Sequence, residues 1–326
     1  MAQPLPVLSQ MPWHIKEEIA NSADNATKCA LKNSCKEMRS MLANSEIHYD
    51  CLELQTTFEK HLIKICRNLH GNLESVEFYR HENGYLKKVG DVETEVAGGN
   101  YFTGAVAQIM KTLRDPRSVI KRLVIDFGCP GYIRYPYDKN QTLMMTLTEA
   151  LSSLPSQLQV VQFLMKKNRN ANEILDIIQF LKPKTLSAIM FSPKEIHPSN
   201  ELCHINLTEV AKTEQWKQAK KLALMKYTLS LPALETNHFE CIGYSTQSLS
   251  QQKVMNLIEE VSTTNRYAHA LNLKEISSDV WDFLSEFPKV TRNNSDVYEI
   301  RRSGKPTCWM VINEARKLVT FRKDIF

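Results

Sequence analysis

Cys203-His204 is the only adjacent pair of soft metal ligands in this 326-residue chain. A tetrahedral zinc site needs two further ligands, and nothing nearby supplies the set. The other cysteines (Cys29, Cys35, Cys51, Cys66, Cys129, Cys241 and Cys308) make no Cys-x-x-Cys pair and repeat no spacing. They read as reduced core thiols. Gly98, Gly99 and Gly104 gather ahead of a helical pattern, but no Gly-Lys-Ser/Thr follows, so the backbone cannot cradle a phosphate as a P-loop does. The chain also lacks a Gly-x-Gly-x-x-Gly fingerprint, a Gly-x-Ser-x-Gly elbow, a His-Glu-x-x-His helix and the kinase motif set. The expectation is a non-catalytic protein with no cofactor and no metal.

Recognition chemistry is better represented. Tyr132-Ile-Arg134-Tyr135-Pro-Tyr137 lies in a stretch of turn formers from Cys129 to Asn140. Tyrosine and arginine dominate the energetic centres of protein interfaces, so Tyr132, Arg134, Tyr135 and Tyr137 are candidate substrate-binding residues. Arg80 to Tyr101, polar and carrying four glycines, reads as a second long loop. The net charge of +5 resides in Arg301 to Phe326, where seven Lys and Arg face only Glu314 and Asp324. Such a strip could meet phosphate, but without aromatic platforms or a helix-turn-helix pattern a solvated strand face is the better reading, and nucleic acid is not an expected partner.

The elements that must position these residues follow from hydrophobic periodicity. Apolar-x-x-apolar-x-apolar runs at Leu73, Ile120, Leu158, Leu186 and Ala219 mark strands, and helical spacing marks Phe58–Leu69, Phe102–Leu113, Leu143–Leu154, Ala171–Leu181 and Leu207–Lys220. Alternation of this kind predicts an α/β body with a mostly parallel sheet, because each strand is reached through a helix crossover. The recurrence suggests an irregular, leucine-rich-repeat-like array with a curved sheet. A helix over Ser250–Val261 and strands near Ala270–Leu273, Asp296–Arg302, Trp309–Ile312 and Ala315–Arg322 close the chain as a β-meander. No run approaches the roughly 18 apolar residues of a membrane span, and Met1–Gln10 has neither the basic nor the apolar part of a secretion signal. The expected location is the cytoplasm or nucleus.

Met11 to Leu42 stands apart as a compact set of three short helices. Pro12 suits a first helical turn, Met11, Ile15 and Ile19 share a face, and Leu31, Cys35, Met38 and Leu42 recur at helical spacing. The segment resembles an F-box, through Met-Pro, Ile-x-x-x-Ile, an acidic residue after the break and Leu31-x-x-x-Cys35-Lys36-x-Met38-Arg39. Further on, Glu214-Gln215-Trp216-Lys217-Gln218-Ala219-Lys220 followed by His238-Phe239 resembles the FTH domain of nematode F-box proteins, over roughly residues 119–326. The two resemblances imply an F-box in residues 1–50 (core 11–42) and a substrate-recognition body in 51–326. They imply a subunit of an SCF-type ubiquitin ligase, bound to a Skp-type adaptor and its cullin scaffold, that receives an unknown target protein. By family position, the adaptor-binding residues would be Pro12, Ile15, Ile19, Leu31, Cys35 and Met38. Apart from the resemblance, Trp216 at a helix-to-strand junction is expected to pin that junction in the core, with His238 as a core or capping histidine.

Overall fold

The computed structural model describes residues 11–23, 25–32, 38, 46–57, 61–69, 71–128, 138–168, 170–193, 203–224, 227–228, 236–263, 268–292, 295–301, 307–313, 315 and 318–323. Two helices lead, α1 (Trp13–Ser22) and α2 (Asn25–Lys32). An N-terminal run of strands follows: β1 (Ile47–Tyr49), β2 (Cys51–Thr57), β3 (Leu62–Leu69), β4 (Asn72–His81), β5 (Gly84–Val89) and β6 (Val92–Ala97). Helix α3 (Tyr101–Leu113) then leads to β7 (Ser118–Phe127), α4 (Asp138–Ser152) to β8 (Gln159–Asn168), and α5 (Ala171–Ile178) to β9 (Ala188–Pro193). Beyond them lie β10 (Cys203–His204), the short helices α6 (Thr208–Ala211) and α7 (Glu214–Gln218), β11 (Lys221–Leu224), β12 (Tyr227–Thr228) and β13 (Cys241–Leu249). The chain continues through α8 (Gln251–Thr263), β14 (Ala268–Ile276), α9 (Ser278–Leu284), β15 (Lys289–Arg292), β16 (Ser295–Ile300), β17 (Cys308–Asn313) and β18 (Leu318–Arg322).

Local chemistry accounts for the helix starts. The Asn100 side chain accepts the Phe102 N–H at 3.0 Å and caps α3, and Asn170 accepts the Glu173 N–H at 3.1 Å and caps α5. From these caps α3 turns Phe102, Ala105, Val106, Ile109 and Met110 inward. Its three-and-four spacing packs one continuous stripe onto the sheet.

One large sheet organises the molecule. Its centre runs β2-β7-β8-β9-β11-β13-β14, every neighbouring pair parallel. From β7 onward each crossover moves one place in the same direction, and because such crossovers are right-handed, their helices collect on one face. Successive helices α3, α4, α5 and α6 do pack side by side. Register aligns their apolar contacts into rows. Leu123, Phe163, Ile189, Leu222 and Ile242 lie opposite one another across five strands, and Ile125, Met165, Phe191, Leu224 and Tyr244 form the next row. The buried side chains fall into two cores, one drawn from residues 52–242 and one from 249–321, and Tyr244 packs against both.

Several expectations are corrected. The sheet is mixed: antiparallel strands β3 to β6 extend one edge, and β18, β17, β16 and β15 extend the other. Of the expected helix Phe58–Leu69, residues 58–60 lie outside the described residues and Leu62–Leu69 is strand β3, because Ile63 and Ile65 alternate inward while Lys64 and Cys66 do not, so the period that governs burial is two. Arg80–Tyr101 is no loop. Gly90, at φ 59°, turns the chain between β5 and β6 in a left-handed conformation that suits a two-residue hairpin, whereas Gly84 opens β5 and Gly98 and Gly99 lead from β6 towards α3. Leu207–Lys220 is two short helices, because Thr213 caps the second with its hydroxyl on the Trp216 N–H. Helix α9 and strand β15 had no counterpart in the sequence reading. The closing meander is present as expected. Of the expected three-helix front, two helices are described, and the third falls outside the described residues except for Met38.

Candidate functional site

Two places concentrate distinctive chemistry. The first is the carboxyl edge of the parallel strands, where open α/β sheets bind ligands. Asp126, near the end of β7, has a side chain only 7% exposed and meets two cations. Lys167 Nζ lies 3.0 Å from its Oδ1 and Lys166 Nζ 3.6 Å from its Oδ2. Lys166 also reaches Glu53 Oε1 at 3.5 Å. Two adjacent lysines on a regular strand point to opposite faces. They converge here because the β8–β9 register shifts between Lys166 and Asn168, and Lys167 takes φ 60°. A left-handed lysine costs roughly 1 kcal/mol or more, and its bulge re-aims the side chain at the buried carboxylate. Next to it, Thr56 Oγ1 accepts the Gly128 N–H at 2.9 Å, and a Cβ on Gly128 would stand 1.7 Å from the Thr56 carbonyl oxygen. The two carboxylates and two ammonium groups balance, so this cluster locks the rim and presents no net charge to a ligand.

The second place is the junction between α7 and β11. Trp216 is fully buried, and its ring meets Phe239 edge-on at 5.0 Å between centroids. His238 Nε2 sits 2.8 Å from the Trp216 carbonyl oxygen, adding a second partner to an acceptor that the Ala219 N–H reaches at 3.3 Å. Gln215, also buried, donates to the Leu181 carbonyl at 2.7 Å and ties α7 to the segment that follows α5. Around this core the charges face water and pair, Lys217 with Glu214 at 2.9 Å and Lys220 with Glu240 at 3.0 Å. The packing role expected for Trp216 and the capping role expected for His238 are both present.

The candidate interface residues are distributed unevenly. Tyr132, Arg134, Tyr135 and Tyr137 lie outside the described residues, in the connection from β7 to α4 that leaves beside Gly128. In the N-terminal segment Pro12 is exposed at the N-cap of α1, while Ile15, Ile19 and Leu31 are half-buried. Cys35 is outside the described residues, and Met38 is fully buried. Trp13, which the sequence reading passed over, is 58% exposed on α1 beside Pro12. Tryptophan is enriched at the energetic centres of interfaces, but its exposure here is set by the packing of α1 and not by its residue type. Ala20, one turn from the end of α1, is buried. In the basic C-terminal region Arg301 pairs with Glu299 at 2.7 Å. Among the described residues no group of three His, Cys, Asp or Glu could hold a metal ion, and no helix is long and apolar enough to cross a membrane.

These features define a mixed α/β chain whose repeated crossovers feed one sheet and whose Trp216 junction is built from a contiguous signature. The FTH domain family model matches residues 141–281, and an FTH domain occupies that stretch. The match takes in α4 through most of α9 and includes the Trp216 and His238 pair. It also cuts across both cores, since Ile125 and Phe127 before it and Val319 and Phe321 after it complete them. No curated protein and no solved structure matches the chain.

Proposed function

We propose that this protein is the substrate-recognition subunit of an SCF-type ubiquitin ligase. Its N-terminal segment, an F-box in residues 1–50, docks a Skp-type adaptor that leads to a cullin scaffold, and the body in 51–326 receives a target protein. The observation that carries the reading is the FTH domain at residues 141–281 behind a Met-Pro helical segment, the order in which F-box proteins of the resembled family are arranged. The exposure of Trp13 and Pro12 at the start of α1 supports an adaptor-facing surface there. Target binding at the body would raise the local concentration of target lysines near a ubiquitin-loaded enzyme, so the protein's own contribution is proximity. Such a subunit works in the cytoplasm or nucleus and performs no chemistry itself.

The test uses the full chain as bait in a cytosolic extract, followed by gel filtration with the purified adaptor it recovers. The expected result is a stable complex with a Skp-type adaptor, weakened at least tenfold by Trp13→Asp with Ile15→Asp while the circular dichroism of the body is unchanged. Failure of the folded wild-type chain to bind such an adaptor overturns the proposal, as does unweakened binding by the double variant.

A further inference from the structure

A groove of about 600 Å³ runs between α4 and the first turns of α5. Its α4 wall carries Met144, Met145, Thr148 and Glu149, and its α5 wall carries Glu173 and Asp176. Met144 is buried and forms part of the floor, whereas Met145 is 65% exposed, which leaves an adaptable thioether where a solvated helix face would carry a polar residue. Thr148 Oγ1 is buried without a hydrogen-bond partner among the described residues. Thr146, half a turn away, satisfies its own hydroxyl on the Thr142 carbonyl at 2.8 Å, so the helix offers this solution and Thr148 does not take it.

The charge of the groove is opposite to that of the chain. Of the three acidic residues that line it Glu173 already has a partner, which leaves Glu149 and Asp176, no Lys or Arg is among its described lining residues, and the protein as a whole carries +5. Glu149 and Asp176 have no ion pair among the described residues. Burial pushes the Asp176 carboxyl above the usual range. An apolar floor, a hydroxyl without a partner and an acidic rim are together complementary to an apolar side chain flanked by cations.

We propose that this groove docks a basic segment of the target protein, in which an apolar residue packs on Met144 and Met145 while an adjacent Lys or Arg meets Glu149 and Asp176. This rests on the reading of the body as a target receptor and names the class of target it takes. Because the whole chain is cationic, long-range attraction works against such a segment, and binding would have to come from the groove itself.

The probes are three fluorescein-labelled twelve-residue peptides, of leucine and lysine, leucine and glutamate, and serine and lysine, titrated by anisotropy into the full chain. The leucine–lysine peptide is expected to bind at least tenfold more tightly than either of the others. Its affinity should fall at least fivefold in Asp176→Asn with Glu149→Gln, and again in Met145→Ser, with folding verified by circular dichroism. Equal binding of all three peptides, no binding of the leucine–lysine peptide, or an affinity unmoved by these substitutions overturns the assignment. Adaptor binding is measured on the same samples: loss of peptide binding with the adaptor retained refutes the groove alone, and an absent adaptor with peptide binding intact refutes the ligase role alone.

Discussion

His238 Nε2 lies 2.8 Å from the carbonyl oxygen of Trp216, a residue 22 positions earlier in the chain. The contact links the end of α7 to the segment that enters β13, and Phe239 immediately follows with its ring against the Trp216 indole. Trp216 and Phe239 supply the buried area, and His238 ties its own segment to the last turn of the helix beside them. An exposed histidine and a buried tryptophan thus serve one junction.

Trp216→Ala should therefore cost about 3–5 kcal/mol, the range for emptying a large aromatic site in a packed core. His238→Ala should cost only about 1 kcal/mol, because one hydrogen bond at a partly solvated carbonyl is lost. Urea denaturation followed by circular dichroism measures both, and a smaller effect for Trp216→Ala than for His238→Ala would contradict this ordering.

The Asp126 cluster predicts non-additivity. Lys166→Met or Lys167→Met alone leaves one ammonium group on the carboxylate and should cost on the order of 1 kcal/mol. The double substitution strands a 7% exposed carboxylate with no cation and should cost about 3 kcal/mol or more. A double-mutant cycle on unfolding free energies reads the coupling directly, and strictly additive losses would show that the two lysines act independently.

Cys308 gives a pH test of the second core. Burial pushes its thiol up to about 11 from an ordinary value of 9. Below pH 9 the thiol is protonated whether the chain is folded or unfolded, so its contribution to stability is fully present. Between pH 9 and 11 the unfolded thiol ionises while the folded one holds its proton, and stability falls by up to roughly 1.4 kcal/mol per pH unit. The wild-type chain should lose this increment across that window relative to Cys308→Ala, and iodoacetamide at pH 7.5 should label Cys308 only when urea unfolds the chain. Rapid labelling of the native thiol would refute its burial.

The parts of the fold that were legible share a cause. Phe102–Leu113 as a helix, and the runs containing Ile125, Phe163, Phe191 and Leu224 as strands, were readable because burial on one face imposes a period on the residue types themselves. Leu62 to Leu69 misled because Leu62, Ile65, Cys66 and Leu69 also fall at helical spacing, and only pairing with β2 and β4 chooses between the two periods. The glycines from Gly84 to Gly99 suggested a single long loop and gave no sign of the short exposed strands β5 and β6, since β6 buries almost nothing. Of the candidate interface residues, Pro12 is on the surface and Met38 is fully buried, a difference that residue type and spacing do not encode.

By itself the sequence determined the alternation of helix and strand in the centre, the Trp216 and His238 signature with its packing role, and the lack of familiar catalytic motifs. These are properties carried by periodicity and by short patterns, the Trp216 and His238-Phe239 segments each recognisable along the chain although they lie 22 positions apart. Tertiary structure alone decided the single direction of the crossovers, the antiparallel wings, the convergence of Lys166 and Lys167 on Asp126, and the acidic groove between α4 and α5. The Asp126 cluster and the groove bring together residues tens of positions apart, and even the short hairpins of the wings depend on which strand pairs with which, so no spacing along the chain records that geometry.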